Sequence, residues 1–572
     1  MKVVLVAAIH LITLVILANC VSAQGSYTPF EGEVIRSVAV KFINPGNDTA
    51  FLNTLKAKVI RNFYLYPSEK YNRVVVNAYL GKVLRLPEVA GADYIIQPEE
   101  SGGLVITLLI EIREKAESKY RSYGVLSSGR LKDFPVLIQT SNSILEATFK
   151  TGQMLYSNTN SWYGRPDEML NGNPLTEGSP PGKGFSSWYE GFVSAGLYTM
   201  FPIVKPVYIF GGTSLITSWK LGRDLFTQPN NTFTALEDAF GGVFAGYRTS
   251  GGNSIRYLLQ AGRYQTSIGD GLLIRNTSSN GSYKSALQLN PRWATDLTFQ
   301  LAFAHNRNRI QIMEIDPDEF AQTDTKTKIR LVNAELGENS KHQIGLTYVT
   351  VPQSTFKYFT ENSVLQRNGL KVADLRYYHL PLPGKGGLIF KTEIARQFHS
   401  DFEMNAWGGY GEIGWSFAGT KYSPYITFRH SIFTGDDPET PEFERWDPLL
   451  SGGNGEEWIQ GANHFKIVQI SNVIAERLQL KLRPLQSMEL VTQLWLFRAD
   501  YLNNVGGNPA LSVLPDKSYG FEINTTVKYF PDKNWYFHGH VAYTVPGDGV
   551  KVSLNNDLSS WLSIMAFFTY SM

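Results

Sequence analysis

The chain has 572 residues, more than one ordinary domain needs, so at least two domains are expected. Its 53 lysines and arginines nearly balance 51 aspartates and glutamates, which excludes the strongly basic surface of a nucleic-acid-binding protein. Charged residues make up 18% of the chain, below the roughly 25% of soluble proteins, while aromatic residues make up 13%.

The N-terminus has the composition of a secretory signal. Lys2 precedes an apolar stretch and the small residue Ala23 follows it, which predicts a signal peptide over residues 1–23. The residues before Cys20 weakly resemble a lipoprotein signal, although Asn19 stands where a small residue is wanted. Since Cys20 is the only cysteine, the mature chain is expected to contain no thiol for a disulfide or for catalysis.

A small mixed α+β module is predicted over residues 31–116. An alternating strand precedes helical patterns near 49–62 and 70–86, and two further strands complete the order β-α-α-β-β. This order resembles a POTRA domain, a periplasmic module, and the resemblance implies that the module docks a periplasmic protein partner. The polar, Ser-rich residues 117–130 are expected to form a linker.

Residues 131–572 show a repeated two-residue alternation. It is clearest between 464 and 500, where Leu478 and Leu480 share one parity while Arg477, Lys481 and Arg483 share the other. A soluble sandwich has such alternation too, but recurrence over more than three hundred residues favours a closed barrel that is apolar outside and polar inside. At about 25 residues per strand, the length predicts an all-β outer-membrane barrel of about 18 antiparallel strands, within a range of 16 to 20.

Particular segments carry this pattern. Alternating strands are predicted at 293–303, 342–350, 387–398, 410–417, 424–432, 521–529 and 535–545, and a closing strand at 561–572. Two polar stretches, 157–184 and 222–231, have the glycine, proline and asparagine content of long loops.

Motifs for chemistry are weak. Gly409, Gly411 and Gly414 fit a dinucleotide pattern but lie in an alternating strand with no helix after it. His538 and His540 share one strand face without a third metal ligand nearby in sequence, so a structural role inside the barrel is preferred. Acid pairs at 436–437 and 456–457 lie in Gly-rich turns. The sequence therefore predicts no enzyme, no cofactor and no metal.

Basic residues on the inward parity are the candidate substrate-binding groups. Rows of cations along a pore lower the barrier for anions, whereas cross-strand pairing with acids would only rigidify the inside. Glu393, Glu489 and Glu522 share the inward parity. The candidates are Arg256, Arg263, Arg292, Lys391, Arg429, Arg477, Lys481, Arg483 and Lys528.

Four segments resemble the alginate export porin family. They are 258–276 with a Gly-Arg strand and Gly-Asp turn, the Gly-Asp-Asp loop at 433–450, the hairpin of 464–500, and the late hairpin at 520–549. The resemblance implies an 18-stranded monomeric barrel that exports an acidic exopolysaccharide. It also implies motif roles for Arg263, Asp270, Asp436, Asp437, Asp447, Arg477 and Arg483. The fused POTRA-like module and the inward acids depart from the family pattern.

The leading hypothesis is an outer-membrane conduit that exports an acidic or neutral glycan, surrounded by lipid and assisted by a periplasmic partner. The alternatives are a POTRA-barrel protein translocase or assembly factor and a general solute uptake porin. The translocase usually carries an Arg-Gly-aromatic tripeptide on a lumen loop, and no such tripeptide occurs in residues 131–572.

Overall fold

The computed structural model describes residues 30–572 with gaps. The gaps are residues 44, 64–69, 114–135, 140–142, 163–183, 205, 223–229, 279–283, 285–287, 320, 322–323, 339, 453–460, 467, 469, 506–512 and 553–557. The predicted signal peptide, the predicted linker, the acid pair at 456–457 and most of the two predicted loops lie outside the described residues.

A three-stranded sheet and two helices form the N-terminal domain. Its elements are β1 (Ile35–Phe42), α1 (Thr49–Asn62), α2 (Arg73–Val83), β2 (Val89–Pro98) and β3 (Leu104–Ile112). The strand order is β1-β3-β2, with β1 parallel to β3 and β2 antiparallel to it. Side chains of Asp48 and Asn72 accept the N–H groups of Phe51 and Val75, which fixes where the helices begin. The order β-α-α-β-β agrees with the sequence pattern.

A closed antiparallel sheet forms the rest of the molecule. Its strands are the short β4 (Val136–Gln139), then β5 (Ile144–Thr159), β6 (Phe185–Val204), β7 (Val207–Leu221), β8 (Asn231–Arg248), β9 (Ser254–Arg263), β10 (Leu297–His305), β11 (Asn308–Asp316), β12 (Lys328–Leu336), β13 (His342–Gln353), β16 (Leu370–His379), β17 (Gly387–His399), β18 (Ala406–Ser416), β19 (Tyr425–Phe433), β20 (Val473–Leu485), β21 (Met488–Arg498), β22 (Ser518–Tyr529), β23 (Trp535–Pro546) and β24 (Trp561–Ser571). Between β13 and β16 the chain forms a separate hairpin, β14 (Lys357–Phe359) and β15 (Val364–Gln366), which is not part of the barrel.

Closure occurs between the last strand and the first long one. β24 pairs with β5 from Leu562 opposite Thr159 to Ser571 opposite Lys150. Leaving aside β4, which pairs only with the start of β5, the described barrel has the predicted 18 strands. Among the described residues, no helix is both long and apolar enough to cross a bilayer.

The outer face of the barrel is apolar, as the alternation predicts. On β10 the outward side chains are 41–51% exposed, and the inward ones are at most 8% exposed. The outward set is Leu297, Phe299, Leu301 and Phe303, and the inward set is Thr298, Gln300, Ala302 and Ala304. Trp293 does not follow this pattern, although the predicted strand began at this residue. It is buried and lies before β10 begins, so its predicted place on the outer face is wrong.

The two ends of the barrel differ. At one end, here called the short-turn end, strands are joined by few residues, such as Asn306 and Arg307 between β10 and β11. Asn306 adopts a φ of +54°, a conformation that asparagine tolerates in tight hairpins. At the other end, the long-loop end, β9 and β10 are separated by residues 264–296, and β19 and β20 by 434–472. These two segments, here called inner segments A and B, are central to the site.

The barrel interior is packed. A buried apolar cluster joins inner segments A and B to inward side chains of the wall. Within this cluster, Leu272 and Ile274 of segment A and Trp446 of segment B are completely buried. A second buried cluster joins the N-terminal domain to inward residues near β5, β6, β23 and β24. The barrel therefore encloses protein from both ends.

Candidate functional site

The N-terminal domain lies in the short-turn end of the barrel. The Ser416 hydroxyl, at the end of β18, donates to Glu100 Oε2 at 2.6 Å, and Lys481 Nζ donates to the Glu100 carbonyl at 3.2 Å. Phe30 packs against Phe530, with ring centroids 5.3 Å apart. Glu100 is only 5% exposed, so the β2–β3 hairpin is buried against the wall rather than presented to solvent.

Helix α2 contacts the opposite side of the wall through polar groups. Arg73 Nε lies 3.2 Å from Glu146 Oε1, and Asn77 Nδ2 donates to Glu146 Oε2 at 3.0 Å. Lys82 Nζ donates to the Tyr208 hydroxyl at 3.2 Å. Glu146 lies on β5 and Tyr208 on β7, so these contacts connect the domain to the first strands of the barrel.

Inner segment A meets the domain from the other side. Lys70 Nζ donates to the carbonyl and hydroxyl of Ser267 at 3.0 and 2.8 Å. Arg275 lies 3.5 Å from Glu33. Burial lowers the pKa of Lys70 to about 7, and the charge of Arg309 acts in the same direction. Burial also raises the pKa of Glu31 to about 7, against the opposing charge of Lys150.

Buried glutamates of the wall bind the backbone of the inner segments. On β8, Glu237 accepts the N–H groups of Trp293 and Ala294 at 2.8 and 2.9 Å, and Arg292 Nε at 3.0 Å. On β6, Glu190 accepts the N–H of Leu289 at 2.8 Å. Charge-assisted bonds of this kind are stronger than neutral ones, so the carboxylates fix where segment A lies.

Inner segment B has an equivalent attachment. Glu522 on β22 is fully buried and accepts the N–H groups of Ala462, Asn463 and His464 at 2.5, 2.9 and 2.9 Å. Glu190 and Glu237 were not singled out in the sequence, whereas Glu522 was noted only as an inward acid. Their signal is an acid on the inward parity, but parity alone does not reveal a backbone partner.

A β-bulge explains why two successive acids face inward on β8. Ser214 of β7 pairs with Asp238 and Leu215 pairs with Leu236, so Glu237 has no register partner. An extra residue in one strand shifts the alternation and lets consecutive side chains share a face. Asp238 accepts a hydrogen bond from the Ser214 hydroxyl at 2.7 Å.

Eight of the nine predicted cations were inferred from the alternation, and Arg263 was added from the resemblance. Each of the nine is engaged with an oxygen of the protein. Arg429 and Arg477 flank one carboxylate, that of Glu412, each at 2.8 Å, and all three are at most 2% exposed. Lys391 lies 2.9 Å from Asp270 of segment A. Although burial alone would raise it, the charge of Lys391 holds the pKa of Asp270 below its usual range.

Three of the nine belong to β9 or to inner segment A, which follows it. Arg263 and Arg292 both contact Asp318, at 3.1 and 2.7 Å. Arg292 belongs to segment A itself and not to a wall strand, so strand parity does not set its place. Arg256 Nη2 donates to the Asn306 carbonyl at 2.9 Å.

The last three lie beside the β2–β3 hairpin of the domain. Arg483 lies 2.7 Å from Glu489, and it also donates to the Pro98 carbonyl. Lys528 lies 3.8 Å from the same Glu489. Lys481 contacts Glu100, as described above. These cations therefore meet wall acids and the domain, which favours the pairing alternative over a bare row of charges.

Among the cavities formed by the described residues, two lie between the domain and the wall. The larger, here called the wall cavity, measures about 400 Å³ and extends from Ser571 and Met572 at the short-turn end to Trp293 of segment A. Arg256 lines it. The smaller, about 270 Å³, is lined by charged residues that include Lys391, Lys481 and Lys528. The cavities differ in chemistry, since aromatic rings as well as charged groups line the first, whereas charged groups predominate in the second.

The remaining motifs agree with their structural interpretation. Gly409, Gly411 and Gly414 lie within strand β18. His538 and His540 face inward from β23, and their rings lie 5.8 Å apart. Within the described part of the chain, no group of three or more histidine, cysteine or acidic residues is arranged to hold a metal.

Sequence comparison finds no matching protein-family profile and no matching curated protein. Solved structures similar to the chain include Pseudomonas aeruginosa OccK5 (OpdH), 10% identical with a TM-score of 0.42, and Pseudomonas aeruginosa OpdL, 9% identical with a TM-score of 0.45. Salmonella typhi OmpF, solved with daunomycin, is 10% identical with a TM-score of 0.35. Each likeness covers 75% of this chain and 98% of the other.

The closed wall of 18 antiparallel strands and its apolar outer face decide the class of protein. The protein is a β-barrel of the kind that crosses a membrane with its strands.

The predicted resemblance to the alginate export porin family is wrong. The similar solved structures are OccK porins and OmpF, and no family profile matches. Two of the four segments behind the resemblance, 258–276 and 433–450, run from wall strands into the packed interior. Short hairpins with charged turns are common to barrels of many kinds, so they do not identify one family.

The identification of the N-terminal domain as a POTRA module is not confirmed either. The element order is present, but a docking module would present its sheet and helices to the periplasm. Here the β2–β3 hairpin and α2 contact the barrel wall instead. Element order records how a chain alternates between helix and strand, and it carries no information about where the domain lies.

Proposed function

We propose that this porin barrel takes up small solutes across the outer membrane and that its N-terminal domain acts as an internal plug. Short turns are periplasmic in outer-membrane barrels, so the domain would lie on the periplasmic side. Diffusion down a gradient would move the solute, without a cofactor. Export of a polymer is disfavoured because both inner segments and the domain occupy the interior.

The wall cavity is the observation that carries this proposal. It reaches the short-turn end beside α2, where polar pairs as well as buried apolar contacts connect the domain to β5 and β7. The cavity already separates part of α2 from the wall, so this is the side of the domain that a small movement would open. A small shift of α2 away from β5 would join the cavity to the periplasm.

The nine inward cations would then serve mainly to hold the wall and the inner segments. Lys391, Lys481 and Lys528 face the smaller cavity, where an anion could contact them once the domain shifts. Substrate binding by these residues is a proposal, and the structural pairing of Arg429 and Arg477 around Glu412 makes those two the poorest candidates. A protein translocase would need the domain surface free for its client, whereas Glu100 and α2 contact the wall.

The test uses crosslinks in a chain that is expected to have no mature cysteine. The variant N77C/E146C places thiols across the contact between α2 and β5, and a short bifunctional thiol reagent joins them. We expect the reconstituted wild-type protein to allow solute-driven liposome swelling and ion conductance. Both should be higher in the N77C/E146C variant before crosslinking, and both should be abolished by the crosslink.

The matched control is K58C/E88C, a contact within the domain where the side chains also meet. Its crosslink should leave conductance unchanged, because it does not join the domain to the wall. Absence of swelling and conductance in the uncrosslinked protein would refute uptake. Conductance that survives the crosslink between positions 77 and 146 would refute the plug.

A further inference from the structure

A row of aromatic rings lines the wall cavity. Phe210 on β7, Phe240 on β8 and Tyr264 just after β9 follow one another with ring centroids 6.2 and 5.9 Å apart. Tyr198 on β6 lies 5.8 Å from the central ring, Phe240. Spacings of 4.5–7 Å are those of interacting aromatic pairs, so the rings form one continuous surface across four strands.

Glycines in the neighbouring strands make room for these rings. Gly212 is the register partner of Phe240, and a Cβ there would lie 2.3 Å from the Tyr198 ring. Gly242 is the partner of Phe210, and a Cβ there would lie 2.7 Å from that ring. The rings can therefore lie close against the backbone beside the cavity, which larger residues at these positions would prevent.

Uncharged amides stand beside the aromatic row. Gln260 on β9 and Gln300 on β10 are register partners, and both line the cavity. Gln311 on β11 lines it as well. The Tyr264 hydroxyl donates to Gln300 Oε1 at 3.4 Å, which links the last ring of the row to the amides. Each amide offers both donors and an acceptor, the combination that suits hydroxyl groups.

The acids of the cavity are already bound within the wall. Glu237 binds Arg292 and two backbone N–H groups, and Asp238 accepts hydrogen bonds from Ser214 and Tyr198. Lys150 lies close enough to Glu31 for their charges to interact.

The basic groups of the cavity have partners too. Arg256 binds the Asn306 carbonyl, and Arg309 forms an ion pair with Glu338. Lys70, Arg73 and Lys533 likewise bind Ser267, Glu146 and Asp93. Because these charged groups are engaged by protein partners, we assign ligand recognition to the rings and amides.

We propose that the wall cavity is a binding site for a neutral, hydroxyl-rich solute with an apolar face, the class to which mono- and disaccharides belong. The proposal rests on the proposed uptake function and names its substrate class. The apolar face of a sugar ring would lie on Phe240 and its neighbours, and its hydroxyls would bond to Gln260 and Gln300. A cavity of about 400 Å³ has room for one or two such rings.

The test measures block of ion current through the full-length protein in planar bilayers. The three probes are similar in size and differ in charge. They are neutral maltose, anionic lactobionate and the cationic, deacetylated form of chitobiose. We expect maltose to block at the lowest concentration. F240A and the milder Y264F should each raise the maltose concentration for half-block, by about tenfold for F240A, as expected for loss of a stacked ring.

The control is F299A, which removes an aromatic ring from the outward face of β10 and should leave block unchanged. Should F240A fail to fold, Q300L provides a second variant with the same expectation. Stronger block by lactobionate or chitobiose than by maltose would overturn the substrate class, as would unchanged maltose block in both F240A and Q300L. A protein that conducts no ions at all would instead refute the uptake function itself.

Discussion

The attachment of inner segment A to Glu237 gives the sharpest prediction. E237Q keeps the shape of the side chain but removes its charge, so the N–H groups of Trp293 and Ala294 and the guanidinium of Arg292 lose a charged acceptor. Hydrogen bonds to a charged group contribute roughly 1 kcal/mol more than neutral ones. With three donors at 2.8–3.0 Å, the variant should weaken the attachment by about 3 kcal/mol.

Hydrogen exchange measures this loss directly. A local opening that becomes about 3 kcal/mol easier should speed exchange of the amides of Trp293 and Ala294 about a hundredfold, while the amides of β10 stay protected. Because Trp293 lines the wall cavity, conductance should rise in the same variant. E314Q is the control, since Glu314 forms an exposed pair with Arg330 and should change stability by less than about 0.5 kcal/mol. Equal exchange in E237Q and the wild type would show that the carboxylate does not hold the segment.

Three further outcomes are expected. E412Q leaves Arg429 and Arg477 buried without a carboxylate, so it should destabilise the barrel by about 3–5 kcal/mol, seen as unfolding at lower urea in gel-mobility assays. K70M removes the titration of Lys70 and leaves that of Glu31, whose pKa is about 7 in the docked domain and ordinarily 4.5. The stability that Glu31 contributes is present below pH 4.5 and is lost as the pH rises through 7. Protection of α2 from hydrogen exchange should therefore fall between about pH 5 and 8. E31Q removes the titration of Glu31 and leaves that of Lys70, whose pKa is lowered from 10.5 to about 7. Protection of α2 from hydrogen exchange should then rise between about pH 7 and 10. An unchanged pH profile in both variants would contradict the docked placement of these two groups.

The barrel wall could be predicted because lipid imposes a strict rule on it. Every second side chain of a wall strand must be apolar, so the sequence placed β13, β17, β19, β22 and β23 within a few residues of their observed bounds. The count of 18 followed from length alone. Extension of the alternation to Trp293 failed because an apolar residue on the expected parity also suits a segment buried inside the barrel.

The contents of the interior could not be predicted in the same way. Alternation says which side chains face inward, but not whether they meet water, each other or another segment. The inward parity of Glu522 was visible, whereas its three backbone partners lie some sixty positions away in inner segment B. The bulge at Glu237 breaks the parity itself, so no two-residue rule assigns both Glu237 and Asp238 to the inside.

The pairing of β24 with β5 has a consequence for biogenesis. The seam joins residues 150–159 to residues 562–571, so synthesis supplies one side of the seam more than four hundred residues after the other. A ribosome therefore releases the chain before the cylinder can be sealed, and both edges stay open during export. Contacts this distant form slowly and leave strands vulnerable to aggregation. We expect the nascent protein to depend on periplasmic chaperones until its C-terminal strand reaches the membrane.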